Sequence, residues 1–220
     1  MADPLAGPRA TFVSGPDPAA AEGLADVVWF DIAGTAVGLR PIHPDDRDAL
    51  LEGFLDMSDR SRYQRFLAPV DRLSDRQLAY LTQLDQINHF AWVAGQFDAE
   101  GELRGLGVAR YVRVDDDPGV AELAVAVADA AQGKGIGTLL VEALLAVAEA
   151  RGIRSVFGLL LAENEPMARI FRRVGAELER EDGGLLRATV DVPADLDLDA
   201  EAIDALVRVA ESAADSAGSG

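Results

Sequence analysis

Between residues 121 and 127 large apolar side chains alternate with small or charged ones, Leu123, Val125 and Val127 against Glu122, Ala124 and Ala126. A period of two predicts a strand with one packed face and one narrow face along a channel. Ile136, Leu139, Leu140, Ala143, Leu144 and Val147 then recur at helical spacing, and Gly152 supplies the stop. Val141 and Leu145 add apolar positions to that helix and leave room for packing on two sides. The run 155–161 predicts another strand, after which Asn164 opens a helix through Pro166, Met167, Ile170, Phe171 and Val174, ended by Gly175.

The rest of the chain divides by the same signals. Residues 27–32 and 36–40 flank the turn Ala33-Gly34-Thr35 and predict a hairpin. Helices are expected from Pro44 to about Met57, through Arg60 to Phe66, and from Ser74, as cap, to Gln83. Strands over 88–97 and 103–114 are joined by a turn at Asp98-Ala99-Glu100-Gly101, and Asp117-Pro118-Gly119 turns the chain into the alternating strand. Short strands near 176–180 and 185–192 enclose Asp182-Gly183-Gly184. Residues 1–26, rich in Ala, Gly, Pro and Asp, are expected as a flexible arm, 27–193 as the folded domain, and 194–220 as a short helix near 200–210 with a disordered tail.

Chemistry concentrates between the alternating strand and the long helix, where the only lysine lies in Gln132-Gly133-Lys134-Gly135-Ile136-Gly137. Glycines let backbone N–H groups turn toward an anion, and the helix start adds unpaired donors and the positive end of its dipole. The unit reads as a pyrophosphate cradle. It is not a P-loop, because Gly135 rather than a hydroxyl residue follows Lys134. A dinucleotide fold is also disfavoured: the glycines have the wrong spread, and 155–161 carries no acid for a ribose.

Composition narrows the partners. A net charge of −18 argues against nucleic acid as a ligand and suits cationic acceptors, although acidity also serves solubility. With no cysteine and two histidines, neither disulfides nor a catalytic metal is expected. No run approaches the ~20 apolar residues of a membrane span and no signal peptide is evident, so the expectation is a cytoplasmic protein without membrane contact.

The loop, through Gln132, Gly135 and Gly137, resembles the Gln/Arg-x-x-Gly-x-Gly signature of the GNAT superfamily of N-acetyltransferases. Residues 39–46, 61–66 and 81–85 are similar to segments of the acetyltransferase domain in bacterial Pat-type protein lysine acetyltransferases. The resemblance implies an α+β, three-layer GNAT fold, its mixed, mostly antiparallel sheet of roughly six to seven strands flanked by about four helices. It implies acetyl-CoA as co-substrate and an amine acceptor, a lysine-bearing protein before a small amine; a catalytically silent acyl-CoA sensor is the reading from another class. The additional regulatory domain that Pat-type enzymes often carry is not expected in this chain, so that part of the resemblance does not transfer.

Transfer from a thioester to an amine needs a held cofactor, a deprotonated amine and a stabilised oxyanion. The resemblance implies that the backbone at Val125, Ala126 and Val127 pairs with the pantetheine arm, and that Gln132, Gly133, Lys134, Gly135, Ile136, Gly137 and Thr138 hold the pyrophosphate. Lys134 either reaches a phosphate or stays a solvated charge. Glu122 heads the channel-facing row and is the candidate general base, and the Pat-type match points the same way. His89 is a weaker candidate, and His43 reads as a capping or surface group. Asn164 caps its helix and, by resemblance, contacts the pantetheine arm. Where many family members place a thiolate-protonating tyrosine, this chain has Phe171. Arg169, Arg172 and Arg173 read either as surface charge or as contacts to the 3′-phosphate.

Overall fold

A computed structural model describes residues 8–13, 26–97 and 103–218. The expected turn at 98–101 lies outside the described residues. One sheet runs through the molecule, with strands β1 (Ala10–Val13), β2 (Val28–Ile32), β3 (Thr35–Pro41), β4 (His89–Phe97), β5 (Leu103–Val114), β6 (Asp117–Val127), β7 (Ser155–Leu161), β8 (Glu177–Glu181) and β9 (Leu185–Asp191). Their spatial order is β1-β2-β3-β4-β5-β6-β7-β9-β8, and only β6 with β7 is parallel. The helices are α1 (Arg47–Leu55), α2 (Asp59–Phe66), α3 (Asp75–Thr82), α4 (Ile136–Ala150), α5 (Glu165–Arg173) and α6 (Ala200–Ala217). The α+β, mostly antiparallel class matches the expectation. The described residues hold more elements than expected, nine strands and six helices.

The differences have local causes. Residues 10–13, placed in the flexible arm by composition, pair with β2 as an added edge strand, and Phe12 packs edge-on against Phe30 at 6.1 Å. The turn into β6 is Asp115-Asp116, because Asp117 already pairs with Val114 across a register shift. Pro118 is tolerated there because a strand's first residues can forgo a ladder donor. The C-terminal helix runs to Ala217 rather than ending near 210, and it buries Ala202, Ala205, Leu206 and Ala210.

That last helix explains α4. A helix apolar all round must be covered all round. Every residue from Leu139 to Ala148 is buried, because the sheet packs on one side and α6 on the other. Trp92 Nε1 donates to the Ala143 carbonyl at 3.2 Å, tying β4 to α4. Arg151 pins the end of the helix: its Nη1 donates to Tyr111 Oη at 2.8 Å, its Nη2 to the Ala210 carbonyl at 2.9 Å, and the guanidinium lies over the Phe90 ring. On the opposite face α1, α2 and α3 enclose smaller clusters around Phe54 and around Ile42 with Val93. Ser74 caps α3 in a reciprocal box with Gln77, as its sequence predicts.

Candidate active site

The site begins where β6 and β7 stop pairing. Their parallel register covers only Val120 with Ser155, Ala121 with Val156 and Glu122 with Phe157. Beyond Glu122 the backbone of β6 has no partner on that side among the described residues, and a cleft of about 420 Å³ opens between Leu123–Val127 and the Leu159-Leu160 stretch of β7. Phe171 of α5 fills the point of divergence. A Cβ at Gly158 would lie 2.5 Å from Phe171 Cζ and 3.2 Å from the Leu123 carbonyl, so only glycine lets the ring seat there.

Alternation along β6 sorts the candidate residues. Leu123, Val125 and Val127 pack toward the α4 core. Glu122, Ala124 and Ala126 share a face with Val112, Arg110 and Val108 of β5, the face covered by α1, α2 and α3. The expected channel row is therefore one face. Glu122 is exposed on it, and the nearby Arg65 of α2 lines the cleft.

At the end of the cleft Gly133 and Gly135 have φ of +73° and +88°, the left-handed region that glycine enters without Cβ strain. Gly135 is the N-cap of α4, without a side-chain cap and with no acid in the first turn, so the helix start keeps its donors and its positive dipole end. Gly137 permits close approach of α5: a Cβ there would lie 2.9 Å from Ile170 Cδ1. Gln132, Gly133, Gly135, Gly137 and Thr138 line the cleft. The side chains of Lys134 and Ile136 do not, since Lys134 is exposed outside it and Ile136 is buried in the core. Ile136 can serve an anion there only through its backbone.

Gln132 is differently engaged from the expected phosphate contact. Its Nε2 donates toward Ser61 Oγ at 3.1 Å, Asp129 Oδ1 at 3.1 Å and the Val127 carbonyl at 3.2 Å. Asp129 also accepts from Ser61 Oγ at 2.6 Å and from Ser58 N at 3.0 Å, locking the loop to the start of α2. Burial raises the Asp129 carboxyl, but the hydrogen bonds from Ser61 and Ser58 outweigh it and hold the group below its ordinary value. Sequence reasoning missed Asp129 and Ser61 because partners 68 positions apart share no local pattern.

The histidines are occupied elsewhere. His89 Nε2 lies 3.1 Å from Arg110 Nη1, and its ring is 4.9 Å from that of Tyr80. Burial, then the charge of Arg110, lowers its pKa to about 4, against the opposing pull of Asp85. The ring is neutral at pH 7 and its acceptor nitrogen is already used, which removes it as a base. His43 accepts from Asp45 N at 3.3 Å as a helix cap. Among the described residues no group of three or more His, Asp or Glu could hold a metal, and no helix is long and apolar enough to cross a membrane.

On the far wall Asn164 lines the cleft and caps α5, its Oδ1 accepting from Met167 N at 3.2 Å. Arg172 pairs with Glu165 at 3.4 Å and Arg173 with Asp197, whereas Arg169 is exposed on the cleft wall with no ion pair among the described residues.

A family model described as an acetyltransferase (GNAT) domain matches residues 36–177. The acetyltransferase Pat of Mycolicibacterium smegmatis is 36% identical over 156 residues, 70% of this chain and 45% of that relative. The chain thus spans less than half the length of that relative. The crystal structure of the GNAT domain of S. lividans PAT superposes with a TM-score of 0.66 at 32% identity, covering 72% of this chain and 92% of that one. A cAMP-binding acyltransferase from Mycobacterium smegmatis gives 0.63 at 27% identity over 88% of this chain and 57% of its own.

Proposed function

The chain belongs to the GNAT acetyltransferase family, and from that premise we propose that it transfers an acetyl group from acetyl-CoA directly to an amine, preferentially a protein lysine. The observation that carries the reading is the unpaired edge of β6 running into an uncapped helix start, with Glu122 on the adjoining face. The features of the cleft fit the cofactor. The free backbone of Val125, Ala126 and Val127 would take the pantetheine arm like an added strand. Backbone donors from Gly133 to Thr138, those of Lys134 and Ile136 included, would hold the pyrophosphate at the helix dipole, with Gln132 bracing the loop. The Asn164 amide and the Arg169 guanidinium supply further donors from α5. The thioester supplies the acyl group, with a thiolate as leaving group.

The protein's chemical task is to deprotonate the acceptor. A lysine with a pKa of ~10.4 is neutral to the extent of about one part in 2,500 at pH 7. Glu122, on the acceptor side of β6, takes that proton directly or through a water. Phe171 has no proton to give, so the thiolate leaves unprotonated, as a thiol pKa of ~8.5 permits. The net charge of −18 draws cationic acceptors toward the site, which favours lysine-rich segments.

Thiol release from acetyl-CoA, measured with polyamines, amino acids and lysine-bearing proteins, tests the reading. Turnover with lysine-bearing proteins is expected. Turnover confined to small amines would reassign the acceptor, and CoA binding without turnover on any acceptor would overturn the enzymatic reading.

A further inference from the structure

A second cavity of about 120 Å³ opens on the α1–α3 side of β5 and β6, sharing Met57, Arg65, Ala126 and Val127 with the cleft. Its walls are mostly apolar, built from side chains such as Leu50, Phe54, Leu73 and Val108. Three charged residues line it. Asp46 is already neutralised, accepting from Arg40 Nη2 at 2.5 Å, from Arg40 Nη1 at 2.7 Å and from His43 N at 2.7 Å. The other two are the cations Arg65 and Arg110.

Neither cation has an acid at ion-pair distance among the described residues. Arg110 is 5% exposed, and its guanidinium meets only neutral partners, His89 Nε2 at 3.1 Å and the Leu81 carbonyl at 3.2 Å. Burial, then the charge of Arg65, lowers its pKa to about 9, which still leaves it cationic at neutral pH. Arg65 lies over the Phe66 ring, 5.1 Å from its centroid, and makes no hydrogen bond among the described residues. Burial lowers its pKa also, offset in part by Glu122 and Tyr80 nearby. A guanidinium carries five N–H donors in a planar fork, and neither fork is saturated by the protein: Arg110 meets two acceptors, and Arg65, half-buried on the shared wall, meets none among the described residues. The planar fork matches a carboxylate. The small volume and apolar walls suit a carboxylate on a short hydrocarbon better than a phosphate.

We propose that Arg65 and Arg110 form a carboxylate-binding subsite opening off the reaction cleft at Ala126 and Val127. The carboxylate arrives either at the end of a dicarboxylic acyl group on the donor or on the acceptor beside its amine. The proposal rests on the acyl-transfer reading above, since it makes the subsite a determinant of which acyl group or amine reacts.

Calorimetric titration of the full chain tests it with two matched pairs, succinyl-CoA against butyryl-CoA, and Nα-acetyl-lysine against its carboxamide in the presence of CoA. At least one pair is expected to favour the carboxylate by about tenfold or more, the scale of a charge-assisted hydrogen bond. A preference in the donor pair assigns the carboxylate to the acyl group, and one in the acceptor pair assigns it to the amine. Arg65→Gln should abolish the preference and Arg65→Lys retain part of it, with both variants folded because Arg65 bonds to no other group. No preference in either pair while CoA still binds, or a preference that survives Arg65→Gln, overturns the subsite and leaves acetyl transfer standing. Failure of CoA itself to bind would instead overturn the acyl-transfer reading on which the proposal rests.

Discussion

Replacing Asp129 with alanine should uncouple the anion loop from α2. Its carboxylate accepts from Ser61 Oγ at 2.6 Å, Ser58 N at 3.0 Å and Gln132 Nε2 at 3.1 Å. Hydrogen bonds to a charged group contribute about 1.5–3 kcal/mol each, but Asp129 is exposed and water replaces much of what is lost. Ser61, 8% exposed, cannot be rehydrated as readily, so the net cost is set at about 2 kcal/mol. For a chain of this size that is a fall in Tm of about 4–8 °C. Gln132 would lose one of its three acceptors, and KM for acetyl-CoA should rise about tenfold while kcat changes less, because the loop positions the cofactor and not the base. Asp129→Asn, which keeps one acceptor oxygen, should lose about half as much stability. Because its folded pKa lies below the ordinary 3.8, Asp129 stabilises the fold above that value, and the contribution disappears as pH falls through the folded pKa. The gap in Tm between wild type and Asp129→Ala should therefore close in acid. An unchanged Tm and KM in Asp129→Ala would refute the coupling.

Other outcomes follow from particular contacts. Gly135→Ala should cost about 1 kcal/mol for a side chain at positive φ, and more because its Cβ would lie 2.8 Å from the Pro8 carbonyl; calorimetric CoA affinity should fall with it. Glu142, 3% exposed on α4, is pushed up by burial to about 7, against the charges of Arg173 and Arg9; the charge of Asp197 adds to the rise and a backbone hydrogen bond from Asp197 opposes it. A folded pKa above the ordinary value favours folding at low pH, and that contribution is lost as pH rises from about 4.5 through about 7, so denaturant melts of Glu142→Gln should remove a fall of up to about 3 kcal/mol between pH 5 and 8. Phe171→Tyr should lower Tm and change kcat by less than about tenfold, because the ring is 2% exposed with its Cζ packed on Gly158, where a hydroxyl has no room, and a thiolate of pKa ~8.5 needs little help to leave; a larger gain would mean that leaving-group protonation limits the rate.

Sequence carried the units whose signals are local. The two faces of β6, the helix beginning at Ile136, the Asn164 cap and the glycine loop each rest on residues within a turn or two of one another, where period and φ preference decide. Residues 10–13 escaped because their strand exists only by pairing with β2, and Ala- and Pro-rich flanks hide so short an edge. The length of α6 was legible only indirectly, in the surplus apolar positions Val141 and Leu145 that it covers. In the site, Lys134 drew attention as the only lysine yet does not line the cleft, whereas Asp129, Ser61, Arg65 and Arg110 gain their positions from tertiary packing. A buried arginine and a solvated one look alike in sequence, because burial is a property of the neighbours.

In the proposed reaction Glu122 removes the acceptor's proton during direct acetyl transfer. The pH dependence of kcat/KM, measured for wild type and Glu122→Gln with acetyl-CoA and a lysine-bearing protein, tests it most directly. A fall of about a hundredfold or more is expected in the variant near neutral pH, with an unchanged affinity for CoA. A variant whose rate matches wild type across the pH range would contradict it.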